Sequence, residues 1–154
     1  MDLNDIISPD AIAVGLNATS KKHLMQELAQ RADGAKGLET RAAFEALLER
    51  ERLGPTGMGR GVAIPHARIN GLETITGVFA RLAKPIDFDA VDGEPVDLVF
   101  ALFAPEDAGA NHLRVLARVS RCLRDPDVCS KLRATDDASA AYAVLTNVME
   151  ARAA

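Results

Sequence analysis

Tryptophan is absent from this sequence and tyrosine occurs once, so that aromatic residues make up only 4% of the 154 residues. A core must therefore be built mainly from Ala, Leu, Val and Ile, and the 48% apolar content supplies it. At this length one domain can bury roughly two-thirds of its unfolded surface. Basic residues are in deficit, 18 against 22 acids, for a net charge of −4. That balance argues against a nucleic-acid-binding surface, which needs net positive charge against phosphate backbones. No apolar run reaches the length of a membrane span, and the opening MDLNDIISPD carries acids where a secretion leader would carry basic residues. The expectation is a cytoplasmic protein without membrane insertion. Cysteine is scarce as well. Cys122 and Cys129 lie seven positions apart, which matches neither a zinc nor a redox spacing and reads as two reduced thiols. The three histidines, His23, His66 and His112, give no compact metal-ligand spacing. There is no G-K-[ST] for a nucleotide phosphate and no G-x-S-x-G for a serine hydrolase. No metal or organic cofactor is expected.

The pattern that is present alternates strands with helices. Ala11–Val14 reads as a short strand. Ser20 is positioned to cap a helix with Leu24, Met25, Leu28, Ala29 and Ala32 on one face, leaving His23 solvated opposite. Gly34 and Gly37 end that pattern. Thr40 is a candidate cap for a second helix with Ala43, Phe44, Leu47 and Leu48 inward and Gly54 at its end. Thr74–Leu82 alternates as a strand, Asp92-Gly93 signals a turn, and the nearly continuous apolar run Val96–Phe103 predicts a central strand covered on both faces, stopped by Pro105. A helix over Ala110–Leu123 would bury Leu113, Val115, Leu116, Val119, Cys122 and Leu123 and leave Arg114, Arg118 and Arg121 on a polar strip. Two more helices follow, Asp125–Arg133 and about Asp136–Ala151. The class is α/β, a single domain with its sheet between helical layers.

Chemistry concentrates in residues 54–68, GPTGMGRGVAIPHAR. Gly54, Gly57, Gly59 and Gly61 remove side chains, which lets backbone N–H groups approach an anion. Val62–Ile64 reads as a buried strand that Pro65 should stop, presenting His66 at the strand's end. A neutral imidazole beside amide donors suits capture of a phosphoryl group, although a lone strand-end histidine is more often a surface or hydrogen-bonded core residue. Gly57-Met58-Gly59-Arg60-Gly61 is not G-x-G-x-x-G, and it follows a helix end instead of a strand. The preceding Glu49-Arg50-Glu51-Arg52 reads on its own as a solvated helix end with weak ion pairs. Met58, Val62 and Phe88 fit either a hydrophobic shield around the histidine or ordinary core. His112 stands at a helix start, where N–H groups and the helix dipole favour an anion; its plainer role is a polar residue bonded to the preceding loop.

The Leu53-Gly54-Pro55-Thr56-Gly57 entry, the alternating glycines and Ile64-Pro65-His66 resemble the phosphorylation site of phosphotransferase-system (PTS) IIA proteins of the mannitol/fructose/nitrogen-regulatory type. The likeness runs from Leu3 to about Arg133. It implies one type-2 IIA domain over residues 1–154, a mixed sheet sandwiched between helices, and a phosphoryl group carried on the Nε2 atom of His66. It further implies Arg50, in preference to Arg52, and His112 as assisting residues, with Thr56, Gly57, Gly59 and Gly61 as the phosphate cradle. Ala67-Arg68 departs from the glycine common after the family's histidine. The implied donor is an HPr-like (NPr) phosphocarrier charged ultimately from phosphoenolpyruvate. Asp5-Ile6-Ile7-Ser8 and Ser20-Lys21-Lys22 are similar to the nitrogen-regulatory branch, whose outputs are regulated partner proteins such as potassium-transport or sensor-kinase components. A stand-alone fructose or mannitol IIA that passes phosphate to a IIB is the alternative, and a IIA-like interaction module that is never phosphorylated is a third.

Overall fold

The computed structural model describes residues 5–33 and 38–153, with side chains described through residue 147. Its centre is β6 (Val96–Pro105), buried at every position except Asp97. Side chains alternate along it. Val99, Ala101 and Phe103 enter one apolar cluster, and Leu98, Phe100, Leu102 and Ala104 enter another on the opposite face. This two-sided burial is why the run reads as continuously apolar.

Six strands form one mixed sheet, ordered β1 (Ile12–Leu16), β5 (Thr76–Ile86), β6, β3 (Val62–Ala63) and β2 (Gly57–Gly59), with β4 (His66–Ile69) pairing β6 beyond β3. β1 runs parallel to β5, and β3 and β4 run parallel to β6, whereas β5–β6 and β2–β3 are antiparallel. Helices α1 (Lys21–Ala32) and α2 (Thr40–Leu53) cover one face. The other face carries α3 (Ala110–Leu123), α4 (Pro126–Ala134) and α5 (Ala138–Ala153). Among the described residues, no helix is long and apolar enough to cross a membrane.

Helix α1 follows its pattern: the Ser20 side chain accepts the His23 N–H, and the five predicted apolar residues are buried. Gly34 and Gly37 lie outside the described residues. Thr40 is not the cap of α2. Glu39 holds that position without a side-chain hydrogen bond, while the Thr40 hydroxyl donates to Asp33 and ties the two helices together. Pro65 does interrupt a strand, but His66 opens β4 instead of closing β3. The Pro65 carbonyl still accepts the Leu102 N–H, and β6 continues to offer pairing partners, so the chain resumes extended geometry at His66.

On α3 the expected burial of Leu113 is reversed. Leu113 is 63% exposed, and His112 is buried at 4%. The buried residues His112, Val115, Val119 and Cys122 recur at helical spacing of three and four, and Leu113 falls beside that stripe. The spacing decides the face, and the hydrophobicity of Leu113 does not override it.

Candidate functional site

His66 pairs in register with Leu102 of β6, and its neighbour Ala67 packs into the α1–α2 cluster. Strand alternation therefore sends the His66 ring to the α3 face. There it meets His112, with ring centroids 5.7 Å apart and planes inclined by 69°. A cleft of about 260 Å³ opens beside His66, lined by Arg50 and Thr56–Met58 on one side and by Leu116 and Ser120 of α3 and Arg124 just after it on the other.

The His66 Nδ1 lies 2.8 Å from the Ile64 carbonyl oxygen. A carbonyl can only accept, so Nδ1 carries the ring proton and Nε2 keeps its lone pair. Burial lowers the His66 pKa below its ordinary value; the bond to Ile64 opposes this, Arg50 lowers it further and Glu51 opposes Arg50. At neutral pH the ring is therefore neutral, with its nucleophilic nitrogen defined by the backbone.

Neither ring nitrogen of His112 has a hydrogen-bond partner among the described residues, which sets aside the role of a polar residue bonded to the preceding loop. Burial first, then the charges of His66 and Arg68, push its pKa down to about 4. A histidine held neutral in the fold contributes stability that is complete above the unfolded value and is lost as pH falls from 6.5 towards 4. Between pH 7.5 and 5 the loss from this residue should be roughly 2 kcal/mol. Urea denaturation of wild type and His112→Leu across that range measures it. The variant should lose less stability on acidification, and parallel pH profiles would contradict the assignment.

Arg50 lines the cleft and donates from one guanidinium nitrogen to the Gly54 carbonyl at 2.9 Å. Arg52 instead pairs with exposed Glu49 at 3.0 Å and is not part of the cleft lining. Of the four residues expected as a cradle, Thr56 and Gly57 line the cleft, and Thr56 has both donors engaged. Its N–H donates to Glu51 Oε2 at 2.8 Å and its hydroxyl to Oε1 at 2.6 Å. Gly57 admits a close approach, since a Cβ there would lie 2.9 Å from the Ala90 Cβ. Gly59 and Gly61 stand outside the lining; Gly59 ends β2 and Gly61 lies in the turn to β3. Arg60 and Gly61 have φ of 57° and 81°, as a tight two-residue hairpin turn requires. Arg60 tolerates this conformation while its N–H donates to Asp92 and its carbonyl accepts from Arg133. Met58 lines the cleft, but Val62 belongs to the α3–α5 core and Phe88 to the opposite face of the sheet. His23 is remote from the site and pairs with Glu27 at 3.4 Å.

Sequence reasoning missed Glu51, Ser120 and Arg124. Glu51 could have been found, because Ala43, Leu47 and Glu51 recur every four residues and place its carboxylate on the buried stripe of α2. For Ser120 and Arg124 no local signal exists; the packing of α3 on β6 brings them to the cleft.

The sequence profile of the family described as "Phosphoenolpyruvate-dependent sugar phosphotransferase system, EIIA 2" matches residues 5–148. The chain belongs to the PTS EIIA type-2 family. Among its EIIA relatives, a nitrogen regulatory protein of Bradyrhizobium diazoefficiens is 55% identical over 94% of this chain and 95% of that protein. A fructose-specific EIIA component of Haloferax volcanii is 38% identical over 97% of this chain and all of that protein. The crystal structure of the nitrogen regulatory protein IIA-Ntr from Neisseria meningitidis superposes with a TM-score of 0.89 at 37% identity, covering 94% of this chain and 99% of that one. The single-domain EIIA fold with its mixed sheet is thereby shown, and a PTS phosphocarrier or regulatory role follows from membership.

Proposed function

We propose that His66 accepts a phosphoryl group on Nε2 from the phosphohistidine of an HPr-like carrier of the nitrogen branch (NPr), supplied ultimately by phosphoenolpyruvate, and that its phosphorylation state regulates partner proteins in the cytoplasm. The observation that carries this reading is the bond from His66 Nδ1 to the Ile64 carbonyl beside a cleft holding two arginines. It fixes the tautomer and leaves the lone pair on Nε2. As the Nε2–P bond forms, the bond from phosphorus to the carrier imidazole breaks, and the leaving imidazole takes the electron pair. The His66 ring gains positive charge during this step, so the Nδ1–H bond to Ile64 strengthens in the transition state. Arg50 and Arg124 supply fixed positive charge for the phosphoryl oxygens, and Arg50 offers a planar fork. His112, neutral and without a hydrogen-bond partner among the described residues, abuts the His66 ring at 5.7 Å between centroids, and its role in this reading is a hydrogen bond to the phosphoryl group once it arrives. The exchange is then mainly a matter of positioning and charge.

A phosphoryl group adds up to about two negative charges at neutral pH, which offers partners a charge-based distinction without refolding. The experiment is phosphorylation by enzyme I, phosphoenolpyruvate and either a nitrogen-branch or a sugar-branch carrier, followed by addition of a fructose-type IIB. The account expects label from the nitrogen-branch carrier that stays on this protein when IIB is added. The Haloferax relative favours the second reading, a fructose-type EIIA. Rapid passage of label to the IIB would establish that reading in place of the regulatory one.

A further inference from the structure

We propose that Glu51 is the positioning residue of this site: anchored by Lys21, its buried carboxylate fixes Thr56 and through it the segment that carries His66. The proposal rests on the reading of His66 as phosphoryl acceptor and adds a residue that the resemblance did not assign.

The Glu51 side chain is only 7% exposed, and both of its oxygens are occupied. Oε2 lies 2.7 Å from Lys21 Nζ and accepts the Thr56 N–H, while Oε1 accepts the Thr56 hydroxyl. Lys21 is itself fixed. It donates to the Phe88 carbonyl at 3.2 Å, sits 4.7 Å from the centre of the buried Phe88 ring and approaches Asp89 at 3.5 Å. From this anchor an unbroken sequence of hydrogen bonds leads to the nucleophile. Glu51 holds Thr56, the Thr56 carbonyl accepts the Ile64 N–H at 3.1 Å, and the Ile64 carbonyl accepts from His66 Nδ1.

The same turn is held a second time one residue earlier, where Arg50 donates to the Gly54 carbonyl. Two adjacent residues of α2 therefore grip the 54–56 turn from opposite ends. Stability alone gives little reason for a buried ion pair here, since an apolar pair of similar volume commonly serves as well. A shaped pair of acceptors aimed at one N–H and one hydroxyl is explained by placement.

The charge of Glu51 also bears on His66, opposing Arg50. His112 of α3 and Arg124 just after that helix also stand beside His66, and Arg68 of β4 acts on His112. Loss of the Glu51 charge is therefore readable at His66, and a positioning role shows separately in the rate at saturating carrier. Glu51→Gln removes the negative charge and the charge-assisted acceptance of the Thr56 hydroxyl proton, because the amide nitrogen can only donate there. The His66 titration midpoint, read by NMR on the unphosphorylated protein, should move below that of wild type. Single-turnover phosphorylation at saturating carrier should slow roughly tenfold, with the carrier concentration for half-maximal rate unchanged.

Lys21→Met/Glu51→Gln removes both charges at once, avoids a buried unpaired lysine and keeps the test valid if the single variant folds poorly. It should retain a cooperative urea transition while remaining slow. A folded double variant with wild-type rate, or a folded Glu51→Gln with an unmoved His66 titration, would overturn the proposal. The titration arm needs no phosphoryl donor, so its failure is distinguishable from failure of the acceptor reading, which would appear as an unlabelled wild type.

Discussion

His66→Ala should take up no phosphoryl group from any carrier, whereas His23→Ala should be labelled like wild type. The expectation follows from the placement of the three histidines. His66 alone combines a place at the cleft, a pKa lowered so that the ring is neutral, and a tautomer fixed by the Ile64 carbonyl. His112 is equally neutral, but it is only 4% exposed and is not among the residues that line the cleft. His23 sits on the outer face of α1 beside Glu27, away from every arginine of the cleft. The label on wild type should be acid-labile and alkali-stable, as a phosphoramidate is. Persistent labelling of His66→Ala would move the acceptor elsewhere.

Arg50→Ala should still be labelled at His66, but slowly. Loss of a charge-assisted donor to a phosphoryl oxygen costs on the order of 1.5–3 kcal/mol, or roughly ten- to a hundredfold in rate when the contact is made in the transition state. A second readout comes without phosphate. Arg50 holds the His66 pKa down, so its removal should raise the His66 titration midpoint. Arg50→Lys keeps the charge and loses the fork, and should recover the titration better than the rate. Arg52→Ala, which removes only an exposed pair with Glu49, is the control and should be nearly neutral. Equal single-turnover rates for Arg50→Ala and wild type would reduce Arg50 to a cap on the Gly54 carbonyl.

Much of this architecture could be read before any coordinates. The α1 stripe is legible because five apolar residues fall on one helical face behind a serine cap. β6 is legible because a strand buried on both sides leaves no polar alternation. Other features depended on tertiary partners. Pro65 marks a break, but only the continuing edge of β6, offered at Leu102–Pro105, tells the chain to resume as β4. The alternating glycines look alike in sequence; Gly57 admits the Ala90 backbone, and Gly61 serves a hairpin turn. Hydrophobicity favours Leu113 over His112 for the interior, whereas the spacing of the buried stripe places the histidine inward. Glu51 is a second case. Among alternating charges its type suggested solvent, whereas its place four residues after Leu47 put it in the interior opposite Lys21.

The most direct test is to locate the phosphoryl group on the wild-type ring. Protein with nitrogen-15 in its histidines, phosphorylated by carrier and phosphoenolpyruvate, would be examined by NMR for phosphorus coupling to ring nitrogens. The account predicts one phosphohistidine, His66, with phosphorus on Nε2 and the Nδ1 proton still held by the Ile64 carbonyl. Phosphorus on Nδ1 of His66, or on any other residue, would contradict it.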